Sequence, residues 1–167
     1  MAPELTTGRQ SSFAPSDRDA LLYNAVFKVE TIEGSAFFSE LGGIISEIEQ
    51  TEYMEAGPIG AFFSRHAGRS KPPTVTLKRA LRSGPSLTWL WSWHQEARSS
   101  LPTMHRDCQL TLFGPGDDLA GSGRMSYLLY NAWPARIEIG AVKAGGTEVV
   151  VQTVVLQCDD LFDSNIS

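Results

Sequence analysis

The chain is short of most of the residues from which active sites are built. It has two cysteines, Cys108 and Cys158, and three histidines, His66, His94 and His105. None stands at metal-ligand spacing: there is no C-x-x-C, H-x-H or H-x-x-x-H, the patterns by which a strand or helix presents two ligands to one ion. Neither cysteine has a histidine placed beside it in sequence to draw off its proton, so a thiol nucleophile is unsupported. With so few cysteines and no leader, the expectation is two reduced, buried thiols rather than a disulfide. The glycine patterns of phosphate-binding loops are missing as well. Gly114-Pro115-Gly116-Asp117-Asp118 offers carboxylates without the ligand spacing of a calcium loop and reads as a solvated turn. No cofactor is expected.

Two further absences narrow the class. No run of ~18 apolar residues is present to cross a bilayer, and residues 1–19 lack the apolar stretch of a secretory signal. Positive charge is in deficit: 14 Lys and Arg against 19 Asp and Glu give a net charge of −5. That balance argues against a protein that grips nucleic acid through its phosphates. A chain of 167 residues is one domain's length and can bury roughly two-thirds of its unfolded surface.

What is present is mostly two-residue alternation. Residues 1–18 are polar, rich in Ser, Thr and Pro and without period, and read as a flexible arm; residues 19–167 read as the folded domain. Residues 21–30 alternate, with Tyr23, Ala25, Phe27 and Val29 inward. Ala36-Phe37-Phe38 begins a short strand that Gly42-Gly43 is expected to break. Residues 44–54 have strand propensity but polar residues on both faces, as in a ribbon standing off the core. Residues 58–73, with two prolines in succession, read as a long connection. Residues 74–81 put Val75, Leu77, Arg79 and Leu81 on one side.

Pro85 then opens the one helix, its missing N–H costing nothing in a first turn that Ser83 or Gly84 caps. Trp89, Trp93, Ala97, Leu90, Leu87 and Trp91 form an apolar arc roughly 200° wide, against the ~100° that one sheet requires. An arc of that width fits either a thick core under one domain or a second contact with another chain. His94 falls inside it, as a hydrogen-bonded core or interface histidine.

Residues 106–113 form a strand with Cys108, Leu110 and Leu112 on one face. Residues 125–133 form another, with Met125, Tyr127, Leu129 and Trp133 on one side and Leu128, Tyr130 and Ala132 on the other. Pro134 ends pairing or marks a bulge. Residues 143–146 turn the chain, residues 147–158 are β-branched on both faces, and an acidic tail closes it. The fold class is therefore mainly β (α+β): a small antiparallel β-barrel or sandwich of about six to eight strands, one flanking helix and a protruding β-hairpin. A barrel of that size is filled by its own side chains.

Charge is segregated along the chain. Glu30, Glu33, Glu40, Glu47, Glu49, Glu52 and Glu55 come first, then Arg65, Arg69, Lys71, Lys78, Arg79 and Arg82. The two blocks either pair across one hairpin or join successive subunits head to tail, a heterologous contact that builds rings or filaments.

Several segments in succession resemble the tail tube protein family of contractile phages and extracellular contractile injection systems. They are Phe38-Ser39-Glu40-Leu41-Gly42-Gly43, the Glu-rich strand ending Glu52-Tyr53-Met54-Glu55-Ala56-Gly57, Thr76-Leu77-Lys78-Arg79-Ala80-Leu81, the helix Trp89-Leu90-Trp91-Ser92-Trp93-His94, and Asn131-Ala132-Trp133-Pro134-Ala135-Arg136. The colinear match runs from about Asp19 to Leu161. Met54 and Ala56 stand where the family more often has Arg and Gly, and residues 61–67, 116–123 and the N-terminal arm differ.

The resemblance implies a structural, non-catalytic subunit of an inner tube. Homohexameric rings would stack around a central channel for cargo or DNA, inside a contractile sheath, with baseplate, spike and terminator proteins at the ends and effector cargo in the lumen. The hairpin would reach the adjacent ring. The expected subunit or ring interface comprises Glu47, Glu49, Glu52, Tyr53, Glu55, Arg65, Arg69, Lys71, Trp89, Trp91, Trp93 and Trp133. Assembly would occur in the bacterial cytoplasm, with extracellular release as part of a particle. The alternatives are a secreted effector-chaperone ring similar to the hemolysin-coregulated proteins of type VI secretion, or a ring next to the baseplate.

Overall fold

The computed structural model describes residues 24–82, 84–141 and 143–164. The N-terminal arm, Leu21, Tyr23 and the Ser83 cap lie outside the described residues. Eight strands and one helix follow in the order β1 (Val26–Glu30), β2 (Ser35–Phe38), β3 (Glu40–Gly57), β4 (Gly60–Ala80), α1 (Pro85–Arg98), β5 (Arg106–Phe113), β6 (Met125–Ile139), β7 (Val151–Gln157) and β8 (Asp160–Asp163). Every described pairing is antiparallel.

The strands form one sheet in the order β2-β1-β5-β6-β7-β4-β3, with β8 added alongside β6. The two ends of that order, β2 and β3, are joined through Ser39 alone. The sheet therefore curls back on itself, and the circle is completed by the chain rather than by a ladder. The chain passes between the two halves of the curl at three places. At Ser39 the backbone N–H reaches Lys78 O, and at residues 158–159 the Cys158 and Asp159 N–H groups reach Pro73 O and Tyr130 O. The third crossing is inside β6, whose first half pairs with β5 and β8 and whose second half pairs with β7. Corners of packed sheets are commonly made by strands that bend at a bulge. Here Asn131 is the bend: it is the extra residue between the pairs Cys108↔Leu129 and Arg106↔Ala132, with φ of 50° and its N–H held by Asp107 Oδ1 at 3.1 Å. Asparagine tolerates that left-handed backbone better than most residues.

The bulge also corrects the expected facing of β6. Met125, Tyr127 and Leu129 pack inward as the alternation indicates, but the extra residue flips the phase and Ala132 becomes a core residue. A second extra residue, Ala135, follows Pro134, so the proline marks a bulge where no ladder donor is needed.

The core is one cluster. Val29 and Phe38, Val75 and Leu77, Leu110, Leu129, Val154 and Leu156 come from both halves of the sheet, and Leu90 and Trp93 from α1. Cys108 and Cys158 are free and buried there, and burial pushes their thiols up to about 12 and about 11. Helix α1 begins at Pro85 with Gly84 as its cap and no side-chain cap bond.

Four further expectations give way. Residues 58–73 are not a connection: apart from Pro58 and Ile59 they belong to β4, paired with β3 from Gly57↔Gly60 onward. The misleading residues, Pro72-Pro73 and Gly68, lie at register shifts of that ladder. Gly42-Gly43 does not end β2 but makes another shift inside β3. The closing acidic residues form β8 rather than a tail. Strand β7 starts at Val151, four residues later than the β-branched run. One of its faces, Gln152, Val154 and Leu156, is buried, and the other is only half covered.

Candidate functional site: an assembly surface

The hairpin of β3 and β4 extends beyond the core. From Ile45 to the turn and back to Pro72, nearly every residue is exposed. Its pairing explains the segregated charge. Glu40 faces Lys78, Glu47 faces Lys71 and Glu52 faces Arg65 in register. Their ion-pair distances are 2.8, 3.1 and 3.2 Å, and His66 lies 3.9 Å from Glu55. The within-chain alternative is thus realised for these residues. Each exposed pair contributes only a few tenths of a kcal/mol, so the ladder chiefly sets register.

Near the tip the ribbon is apolar. Met54 is opposite Phe63 on one face, together with the Glu52–Arg65 pair; Tyr53 and Phe62, opposite Ser64 and Glu55, lie on the other. Phe63 is 71% exposed and Ile59 at the turn fully so. The aromatic residues on both faces of this two-stranded ribbon stay exposed among the described residues, and such patches mark interaction surfaces.

The tryptophans divide by environment. Trp93 is fully buried, donates its indole N–H to Met104 O at 2.7 Å and lies under the Arg106 guanidinium. Trp89 stacks on it at 5.5 Å and covers Gly34 so closely that any side chain there would collide with the indole. Trp91 and Trp133 are half-buried; Trp91 meets His94 edge-on, and His94 Nδ1 is 2.8 Å from Pro134 O, joining helix to β6. His94 is therefore the hydrogen-bonded histidine that its place in the arc indicates.

Arg106 is a residue that sequence reasoning missed. Its buried side chain is 2.8 Å from both Glu33 and Glu96, tying the β1–β2 turn to the helix across β5. Nothing in its local sequence signals this, because both partners are distant in the chain. Arg69 and Glu49 are exposed on the ribbon, and neither has an ion pair among the described residues. Among the described residues no cluster of His, Cys, Asp and Glu could hold a metal ion.

A curled antiparallel sheet with one flanking helix and a long ribbon projecting from it defines a β-rich scaffold of the kind found in tail tubes. The same fold occurs in an extracellular contractile injection system, in the structure of its PVC sheath–tube complex in the extended state. That chain is 20% identical, with a TM-score of 0.62 over 83% of this chain and 87% of that one. It occurs also in the structures of the anti-feeding prophage baseplate (17% identical, TM-score 0.60, 86% and 94% covered) and of its tube-terminating cap (19%, 0.61, 91% and 98%). No curated protein sequence matches this one. The sequence itself is matched over residues 23–161 by the family of the T4-like virus tail tube protein gp19, and the chain belongs to that family.

Proposed function

We propose that this chain is the structural subunit of the inner tube of a contractile injection system or contractile phage tail. Six copies close into a ring, the rings stack around a channel for cargo or DNA, and a contracting sheath drives the tube forward. In this reading residues 19–167 are the tube domain, and the N-terminal arm assigned to residues 1–18 lies outside the described residues. Family membership supports the reading, and the observation that carries it is the ribbon. A projecting hairpin with apolar side chains on both faces is shaped to lie against a neighbouring ring, and lone chains gain nothing from exposing it.

The neighbour contacts assigned to this surface are Glu47, Glu49, Glu52, Tyr53, Glu55, Arg65, Arg69 and Lys71 on the ribbon. Trp89 and Trp91 on the helix and Trp133 on β6 contribute beside it, whereas Trp93, expected at this interface, is fully buried in the core and supports them from within. The work is self-assembly and conduction, without catalysis or cofactor. The partners are further copies of itself, a sheath protein, baseplate or spike proteins and a terminator; a sheath–tube complex, a baseplate and a tube-terminating cap are the settings of the structures that share the fold. Effector cargo would occupy the lumen. The particle would be assembled in the bacterial cytoplasm and act outside the cell. A lumen bordered by a chain of net charge −5 would let a polyanion slide without holding it.

Negative-stain electron microscopy and sedimentation velocity of the purified chain, with and without its sheath protein, test this. Rings or tubes with a central hole are expected. A species that stays monomeric at every concentration, with sheath present, would overturn it.

A further inference from the structure

Arg79 is the anomaly of the interior. It is on β4 in phase with Val75 and Leu77 and is 8% exposed, yet it has no ion pair among the described residues. Neutral groups surround it. Its Nε donates to Gln152 Oε1 at 2.8 Å, its Nη1 donates to Ser86 Oγ at 3.1 Å, and the Phe38 ring lies 5.3 Å beneath. Arg79 Nη2 and Gln152 Nε2 are buried with no hydrogen-bond partner. Burial lowers the guanidinium's affinity for its proton, but an arginine keeps its charge in a protein. A buried cation satisfied only by neutral acceptors remains electrostatically uncompensated.

Arg79 borders a surface cleft of about 480 Å³, and exposed Arg82 stands at the same cleft. Phe37 and Leu119 form apolar walls, and Ser39 and Ser86 bring hydroxyls. Like charges converge there, beside low-dielectric walls that strengthen any attraction to an anion. Elsewhere on the chain the reverse surplus exists. Glu49 and Glu148 have neither an ion pair nor a side-chain hydrogen bond among the described residues.

We propose that the Arg79–Arg82 cleft is a socket for a carboxylate of a second copy of this chain, supplied by Glu49 or Glu148 of the neighbour. The socket gives association a charge requirement and a direction, since it and the acid that fills it are different parts of the surface. This inference rests on the self-assembly reading.

The test is sedimentation velocity over a concentration series on the full chain and on Arg79→Met, Arg82→Met, Glu49→Gln and Glu148→Gln. Arg79→Met should keep its far-ultraviolet circular dichroism and raise the concentration at half-association at least tenfold. Arg82→Met should weaken association in the same direction. One of the two acid variants should match Arg79→Met, and combining the two should add nothing further, the signature of a shared contact. If the unaltered chain never associates, the assembly reading itself fails. If it associates and Arg79→Met does so at the same concentration, or neither acid couples to Arg79, the socket is overturned and assembly stands. Should Arg79→Met not fold, Arg82→Met decides: unchanged association in that variant overturns the socket.

Discussion

Trp93 concentrates several stabilising interactions in one side chain. It fills the space between α1 and the sheet, gives its N–H to Met104 O and supports Arg106 on its face. Trp93→Ala should destabilise the fold by about 3–5 kcal/mol, read as a lower urea midpoint with unchanged m-value. Arg106→Ala removes the cation that two glutamates share. Because Glu33 is half exposed, the loss should be smaller, ~2 kcal/mol.

The ionisable groups make two pH statements. The Arg124 side chain first, and the Gly114 N–H second, hold the Asp117 carboxyl below its usual range. A depressed carboxylate contributes above its unfolded pKa and loses that contribution as pH falls through the folded one. Protection of the Gly114 amide from hydrogen exchange, taken relative to the unfolded chain at the same pH, should therefore fall on acidification below about pH 4, where free aspartates protonate. The same loss of protection should appear at neutral pH in Asp117→Asn. The thiols run the other way. Their folded pKa values of about 12 and about 11 exceed the ordinary 9.0, so their contribution is complete below pH 9 and is lost as pH rises through 9 towards 11–12. Both should resist a thiol reagent at pH 8 until the chain is unfolded.

At the scale of elements, the ribbon and the core are separable. Residues 50–67 touch each other across the hairpin but contribute no member of the core cluster. Replacing them with Asn-Gly, a two-residue turn suited to joining antiparallel strands, should leave stability within ~0.5 kcal/mol. It should also abolish the stacking of rings. Thermal unfolding checks the first and electron microscopy the second.

Legibility differed by element for physical reasons. Strands β1, β5 and the inner part of β4 face one core, and their alternation places Phe27, Val29, Val75, Leu77, Cys108, Leu110 and Leu112 correctly. The helix is announced by Pro85 and a change of period. The outer part of β4 is illegible because a ribbon wet on both faces imposes no hydrophobic period, and its strand character comes wholly from bonds to β3. Its glycine and prolines then look like punctuation, although they occupy bulges.

At the scale of the whole molecule, the chain is a sheet wrapped around one core, with an exposed ribbon projecting beyond it. The exposed aromatics Tyr53, Phe62 and Phe63 should become shielded on ring stacking. A Phe63→Trp variant, its indole emission blue-shifting on assembly and not on dilution, would report this. The candidate surface was half visible in advance. The charged residues of the ribbon and the tryptophans of the helix stand out in sequence, whereas Arg79, Gln152 and Arg106 acquire meaning only through partners far along the chain.

The sequence alone determined the β-rich class, the single helix, the inward side of most strands and the family, because these depend on local period and on the order of segments. The tertiary structure decided which way the charged blocks pair, where β6 bends and changes face, and which arginine is buried without an ion pair among the described residues. Those outcomes depend on contacts between residues far apart in the chain, where register and bulges rather than composition choose the partner.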